Sequence, residues 1–164
     1  MEEIIDIGTS KFNIDDEWYN KFCNKYEKDE TTKNSRAVFR FDWQRFLWPF
    51  ILGISVEKRT PLNQRTKNPP FGKEVFNGCG KILKTMIALT LQELYKDNPD
   101  ELKKDFETAT ENEENLGRKI KIAIEEYANT GFSILDRRGR EKPGYIENLE
   151  YVVEDILSDK TWSW

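Results

Sequence analysis

Apolar side chains return every three or four residues in several separate stretches of the chain, with polar runs between them, and this is the spacing of amphipathic helices. Trp18, Tyr19, Phe22, Cys23 and Tyr26 follow the rule, with Asp15 or Asp16 placed to cap the start of the helix. The polar run over residues 27–35 reads as an exposed connection. Phe39, Trp43, Phe46, Leu47, Phe50 and Ile51 then fall on one face of a second helix, widened by Val38, Phe41, Trp48 and Leu52. Pro49 removes a backbone donor and bends this helix, unless the helix begins late with Asp42 as its cap.

The period stops over residues 57–73, where three prolines and a glycine accompany five basic residues and one acidic residue. That composition predicts a long surface loop, of a length that is often functional or mobile. The clearest stripe follows over residues 81–95, through Ile82, Leu83, Met86, Ile87, Thr90, Leu91, Leu94 and Tyr95. Asn98 and Pro99, followed by Asp100 and Glu101, mark a fresh helix that carries Leu102 and Phe106. Thr110 and Glu113 have capping-box spacing ahead of Leu116, Ile120, Ala123, Ile124 and Tyr127, and Asn129-Thr130-Gly131 reads as the stop of that helix. Phe132, Ile134 and Leu135 form a brief apolar piece before a basic loop over residues 136–144. A last helix spans residues 145–158 through Ile146, Leu149, Val152, Val153, Ile156 and Leu157. The sum is a mainly α single domain over residues 1–164, a compact bundle of about five or six helices with little or no sheet.

Composition narrows the chemistry more than the fold. The chain contains no histidine, so serine–histidine and cysteine–histidine nucleophile pairs, histidine metal sites and a histidine pH switch have no residue to carry them. Cys23 and Cys79 stand far apart, which supports neither a zinc site nor a disulfide framework, and both read as reduced, buried thiols of a cytoplasmic protein. The acidic start of the chain does not fit a secretory signal, and the most apolar stretch, residues 46–54, is about half the roughly 20 residues that cross a bilayer. A net charge of −4 argues against a wholly basic nucleic-acid-binding surface and leaves only local basic patches.

Two such patches exist: Lys58, Arg59, Arg65 and Lys67 in the first long loop, and Arg137, Arg138 and Arg140, with Lys142, in the second. Arginine in a loop grips phosphate, although the ordinary reading is a solvated loop, and neither loop interleaves aromatics as a single-strand platform would. Residues 97–114 hold eight acids against two lysines, which reads chiefly as a wet helix face. Glu125 and Glu126 are adjacent carboxylates, yet neighbours on a helix point in different directions, so a metal-dependent nuclease is the weakest reading and no metal or cofactor is expected. Gly78-x-Gly80-Lys81 lacks the spacing of a phosphate-binding loop and reads as a turn. Trp162 and Trp164 end the chain with no local core to enter; they dock on a partner or fold back, and Trp48 belongs to a helix with more rings than one face needs. Residues 1–14 and 160–164 are the segments expected to meet a partner.

Three segments in order carry a resemblance: FILGISVEKRTPL from Phe50, ILKTMIALTLQEL from Ile82, and IEEYANTGFSIL from Ile124. Together, over residues 38–135, they resemble the small bacterial proteins of the DNA phosphorothioation (Dnd) system-associated protein 4 family. The resemblance implies an accessory protein of anti-phage or DNA-modification islands, with no catalytic residues to carry over. The expectation is therefore a non-catalytic adaptor that contacts a larger defence-system subunit through Trp48, Trp162 and Trp164, away from membranes. Its basic residues would touch DNA or RNA held by that partner. The alternative is a direct DNA- or RNA-binding helical protein, with a helix-turn-helix element near residues 120–135.

Overall fold

The computed structural model describes residues 11–24, 42–67, 69, 71–72, 75–76, 81–109, 113–146 and 148–158. Six helices lie among them. Helix α1 is an α-helical turn over Asp16–Trp18 that continues as a π-helix over Tyr19–Asn24. It is followed by α2 over Asp42–Ser55, α3 over Ile82–Tyr95, α4 over Pro99–Ala109, α5 over Glu113–Glu141 and α6 over Leu149–Leu157. No strand occurs among the described residues; Phe12 faces Phe71, and Asp15 faces Arg65, in two isolated antiparallel bridges.

Helix α5 is the axis of the molecule. Its Leu116, Ile120, Ala123, Ile124, Tyr127, Ala128, Phe132, Ile134 and Leu135 are all buried, a spread wider than one amphipathic face, because α2, α3 and α4 all pack against it. The extensive partner is α2. Where the two cross, no side chain separates their backbones: a Cβ on Gly53 would lie 1.8 Å from the Tyr127 carbonyl oxygen, and one on Gly131 would lie 1.7 Å from that of Pro49.

That crossing explains the largest departure from the sequence pattern. The Asn129-Thr130-Gly131 triplet does not stop the helix, and Phe132–Leu135 is no separate piece; α5 runs unbroken for 29 residues. Gly131 serves close approach, with no left-handed turn, since the described positive-φ residues are Glu57 and Gly144. A helix-turn-helix near residues 120–135 is excluded by the same continuity. The expected basic loop over residues 136–144 is likewise helical as far as Glu141, where Gly139 comes up against Ile146, and the chain turns only at Gly144. The last helix starts later than its apolar period, at Leu149, because the Asn148 side chain caps it by accepting from the Glu150 amide at 3.0 Å.

Other signals match the structure. Helix α4 begins at Pro99, with the Asn98 side chain accepting from the Glu101 amide. Helix α2 is described from Asp42 and carries Pro49 in its interior, while Val38, Phe39 and Phe41 of the expected stripe lie outside the described residues. Thr110 of the capping box lies outside the described residues.

Two aromatic groups close the core. Phe12, Phe46, Phe71 and Phe76 join the N-terminal segment, α2 and the chain ahead of α3, with Phe46 centroids 5.0 Å from both Phe12 and Phe71. Trp18 and Phe22 of α1 lie against Phe132 of α5. Cys23 is fully buried, while Cys79 lies outside the described residues.

Candidate functional site

The loop that leaves α2 is fastened along its length. Glu57 adopts φ 52°, its amide donates to the Ile54 carbonyl at 3.0 Å, and the Lys58 amide donates to that of Gly53 at 3.4 Å, the paired bonds of a Schellman cap. The Glu57 carboxylate pairs with Lys96 at the end of α3, and Lys96 also meets Glu93 at 3.0 Å. The hydrogen bonds that the Lys96 ammonium donates to these two carboxylates raise its pKa above the ordinary range.

Helix α5 supplies the next fastening. The Thr60 amide donates to the Glu126 carbonyl at 3.2 Å, and the Asn129 amide group donates to the Thr60 and Pro61 carbonyls, each at 3.1 Å. Thr130 Oγ1 lies 2.9 Å from Thr60 Oγ1 and 3.2 Å from the Glu126 carbonyl. Asn129 is only 6% exposed, and its Oδ1 accepts from the Trp18 indole at 2.6 Å, so one side chain ties α1, α5 and the loop. These contacts account for the sequence: residues 126, 129 and 130 share a helix face, and a short amide reaches two loop carbonyls that would otherwise be left unsatisfied.

The N-terminal segment completes the brace. Asp15, 6% exposed, does not cap α1; its carboxylate accepts from the Asn63 amide at 3.2 Å and the Gln64 amide at 2.8 Å. Thr66 donates its amide to the Ile14 carbonyl at 2.9 Å. Asn13 in turn donates both its backbone amide and its side-chain amide to Glu125 Oε1, at 2.8 and 2.9 Å, and Lys121 stands 3.7 Å from the same oxygen. Burial pushes the Glu125 carboxyl above the usual carboxylate range, opposed by the Asn13 hydrogen bonds and the Lys121 charge.

Adjacent carboxylates thus part company. Glu125 turns inward to Asn13, whereas Glu126 turns outward, 3.7 Å from Arg59. Among the described residues no three acidic or thiol side chains gather in a group suited to a metal ion.

The expected site residues divide by surroundings. Lys58, Arg59, Arg65 and Lys67 are exposed on the fastened loop. Arg138 and Arg140 sit near the end of α5 within ion pairs: Arg138 lies 3.2 Å from Glu141 and 3.5 Å from Asp155 of α6, and Arg140 lies 3.0 Å from Asp136. Arg137 is half-buried. The structure therefore brings the loop cations together with the α5 phrase around Glu126, while the second basic group belongs to the far end of the same helix. Trp48 is half-buried and packs on the core, and Trp162 and Trp164 lie outside the described residues. Sequence reasoning missed Asn13, and it gave Asp15 and Glu125 other roles, a helix cap and one of a carboxylate pair. Glu125 left one sign, a charge with Ala128 and Phe132 three and seven residues on, which places it on an apolar face.

Fold and site together define a mainly helical protein in which one central helix crosses a second at two glycines and braces a basic surface loop. The chain belongs to the DNA sulphur modification system-associated protein 4 family, whose model matches residues 26–160. Membership makes it a protein associated with a DNA sulphur modification system. No curated protein and no solved structure matches the chain. Among the described residues no helix is long and apolar enough to cross a membrane.

Proposed function

We propose that the protein is a non-catalytic accessory subunit of a DNA sulphur modification system, an adaptor that acts in the cytoplasm in anti-phage defence by binding a larger subunit. The family match over residues 26–160 carries this reading. The chemistry of the brace supports it: the polar side chains of the EEYANTG phrase, Glu125, Glu126, Asn129 and Thr130, are engaged with Asn13, Arg59, Thr60 and Trp18, the use a scaffold makes of them. Trp48, Trp162 and Trp164 are assigned to the protein partner, since large rings anchor interfaces. Lys58, Arg59, Arg65 and Lys67 carry the positive charge turned toward nucleic acid in the assembly.

The test is affinity purification of the tagged protein from its native cell, full length beside a version ending at Lys160. Recovery of an identified subunit of the sulphur modification machinery with the intact chain, and its loss on truncation, is the expected result. Recovery of nucleic acid alone, unchanged by the truncation, would contradict the adaptor reading.

A further inference from the structure

The first part of the stretch between α2 and α3 is held in place while most of its side chains stay exposed. From residue 57 to residue 67 its backbone is fastened at the Glu57, Lys58, Thr60, Asn63, Gln64 and Thr66 amides and at the Thr60, Pro61 and Gln64 carbonyls. The last of these accepts from the Asp16 amide at 2.9 Å. Yet Lys58, Arg59, Pro61, Asn63, Gln64, Arg65 and Lys67 all remain exposed. Fixing a backbone whose own side chains stay largely exposed costs conformational entropy with little apolar burial in return, and the usual gain from such an arrangement is a preformed binding surface.

Charge indicates what that surface meets. The one carboxylate in the loop, Glu57, is taken by Lys96, whereas Arg65 and Lys67 make no ion pair among the described residues. Arg59 lies at the edge of the group with its guanidinium 3.7 Å from Glu126. A chain of net charge −4 therefore presents four cations on one fastened loop. The arginines at the end of α5 differ, since Arg138 and Arg140 lie within pairs to Glu141, Asp155 and Asp136 that join α5 to α6 and to its own preceding turn. No aromatic residue occurs from Glu57 to Lys67, so the loop has no platform on which an unpaired base could stack.

We propose that the fastened loop carrying Lys58, Arg59, Arg65 and Lys67 is a preformed site for the phosphate backbone of duplex DNA, without base specificity, and that Arg138, paired with Asp155 of α6, and Arg140, paired with Asp136 of its own helix, take no part in it. The choice of DNA rests on the accessory reading above; the choice of loop rests on the geometry alone. Contacts of this kind release counterions, so the logarithm of the affinity falls linearly with the logarithm of salt concentration, by about 0.9 per phosphate neutralised.

The experiment is fluorescence anisotropy of labelled duplexes of two unrelated sequences with the full chain across a salt series. Arg65→Ala/Lys67→Ala should weaken binding to both sequences alike and lower the salt slope by about two, because two phosphate contacts are lost. Arg140→Ala should leave the slope unchanged, and Arg65→Lys should retain it. The proposal is overturned if duplex DNA does not bind at low salt, if single strands bind more tightly than duplex, or if Arg140→Ala removes binding while the loop variant does not. Affinity purification of the unaltered full-length protein, set beside its duplex binding, separates the two readings. Recovery of the machinery's subunit alongside failed duplex binding sinks this site and leaves the accessory role standing; absence of the subunit alongside intact duplex binding does the reverse.

Discussion

Single atoms decide much of this structure. Since a Cβ at position 131 would meet the Pro49 carbonyl oxygen at 1.7 Å, Gly131→Ala must push α2 away from α5. The cost should reach about 3 kcal/mol or more, the upper end for overpacked cores, read as a lower urea midpoint. Gly53→Ala should behave alike, because it meets Tyr127 from the other side. Glu125 gives a different kind of prediction. Its folded pKa is raised above the ordinary value of 4.5 by burial, so stability present below the unfolded value is lost as pH rises through the folded one. Glu125→Gln keeps an oxygen to accept from Asn13 and removes the buried charge. Its stability relative to the parent should therefore increase as pH climbs from about 4 to about 8, and a difference that stays flat over that window would refute the assignment. Asn129→Ala should cost about 1–3 kcal/mol, since it strands the Trp18 indole and two loop carbonyls.

At the scale of elements, the helices themselves were legible, because each carries an apolar stripe at the proper period, and the caps at Asn98 and Asn148 contribute locally. Asn148→Ala should lower stability by about 1 kcal/mol, visible as loss of α6 ahead of the rest in hydrogen exchange. The C-terminal end of α5 was not legible. Asn129, Thr130 and Gly131 are all residues that favour helix stops when only local energetics act, and here each is claimed by something remote: Trp18, Thr60 and Pro49. The candidate site was half legible for the same reason. Loop cations show in the sequence as charge without period, but the fastenings at Asn13 and Asp15 come from a segment without any, and reach across 112 residues in one case and 48 in the other. Tertiary pairing of that kind leaves no local mark.

For the whole molecule, the family match and the physical core do not coincide. The match begins at residue 26, whereas Phe12, Ile14, Phe22 and Cys23 are buried in the one cluster that also holds α2 and α5. Burying such side chains stabilises by about 1.5–3 kcal/mol each, so together they approach the roughly 5–15 kcal/mol that holds a domain folded. By circular dichroism, the full chain should melt in one cooperative thermal transition and a version beginning at residue 26 should not. The same segment supplies Asp15 and Asn13 to the brace, which makes the loop's shape a property of the entire fold.

Two distant phrases, one after α2 and one in α5, build a brace that fixes an exposed basic loop. Hydrogen exchange at single-residue resolution on the full-length protein tests it most directly. The Thr60, Asn63, Gln64 and Thr66 amides, all hydrogen-bonded, should exchange slowly, with Thr60 losing its protection in Asn129→Ala while the centre of α5 stays protected. Exchange of all four at the rate of a free chain, in a protein whose α5 is protected, would contradict the account.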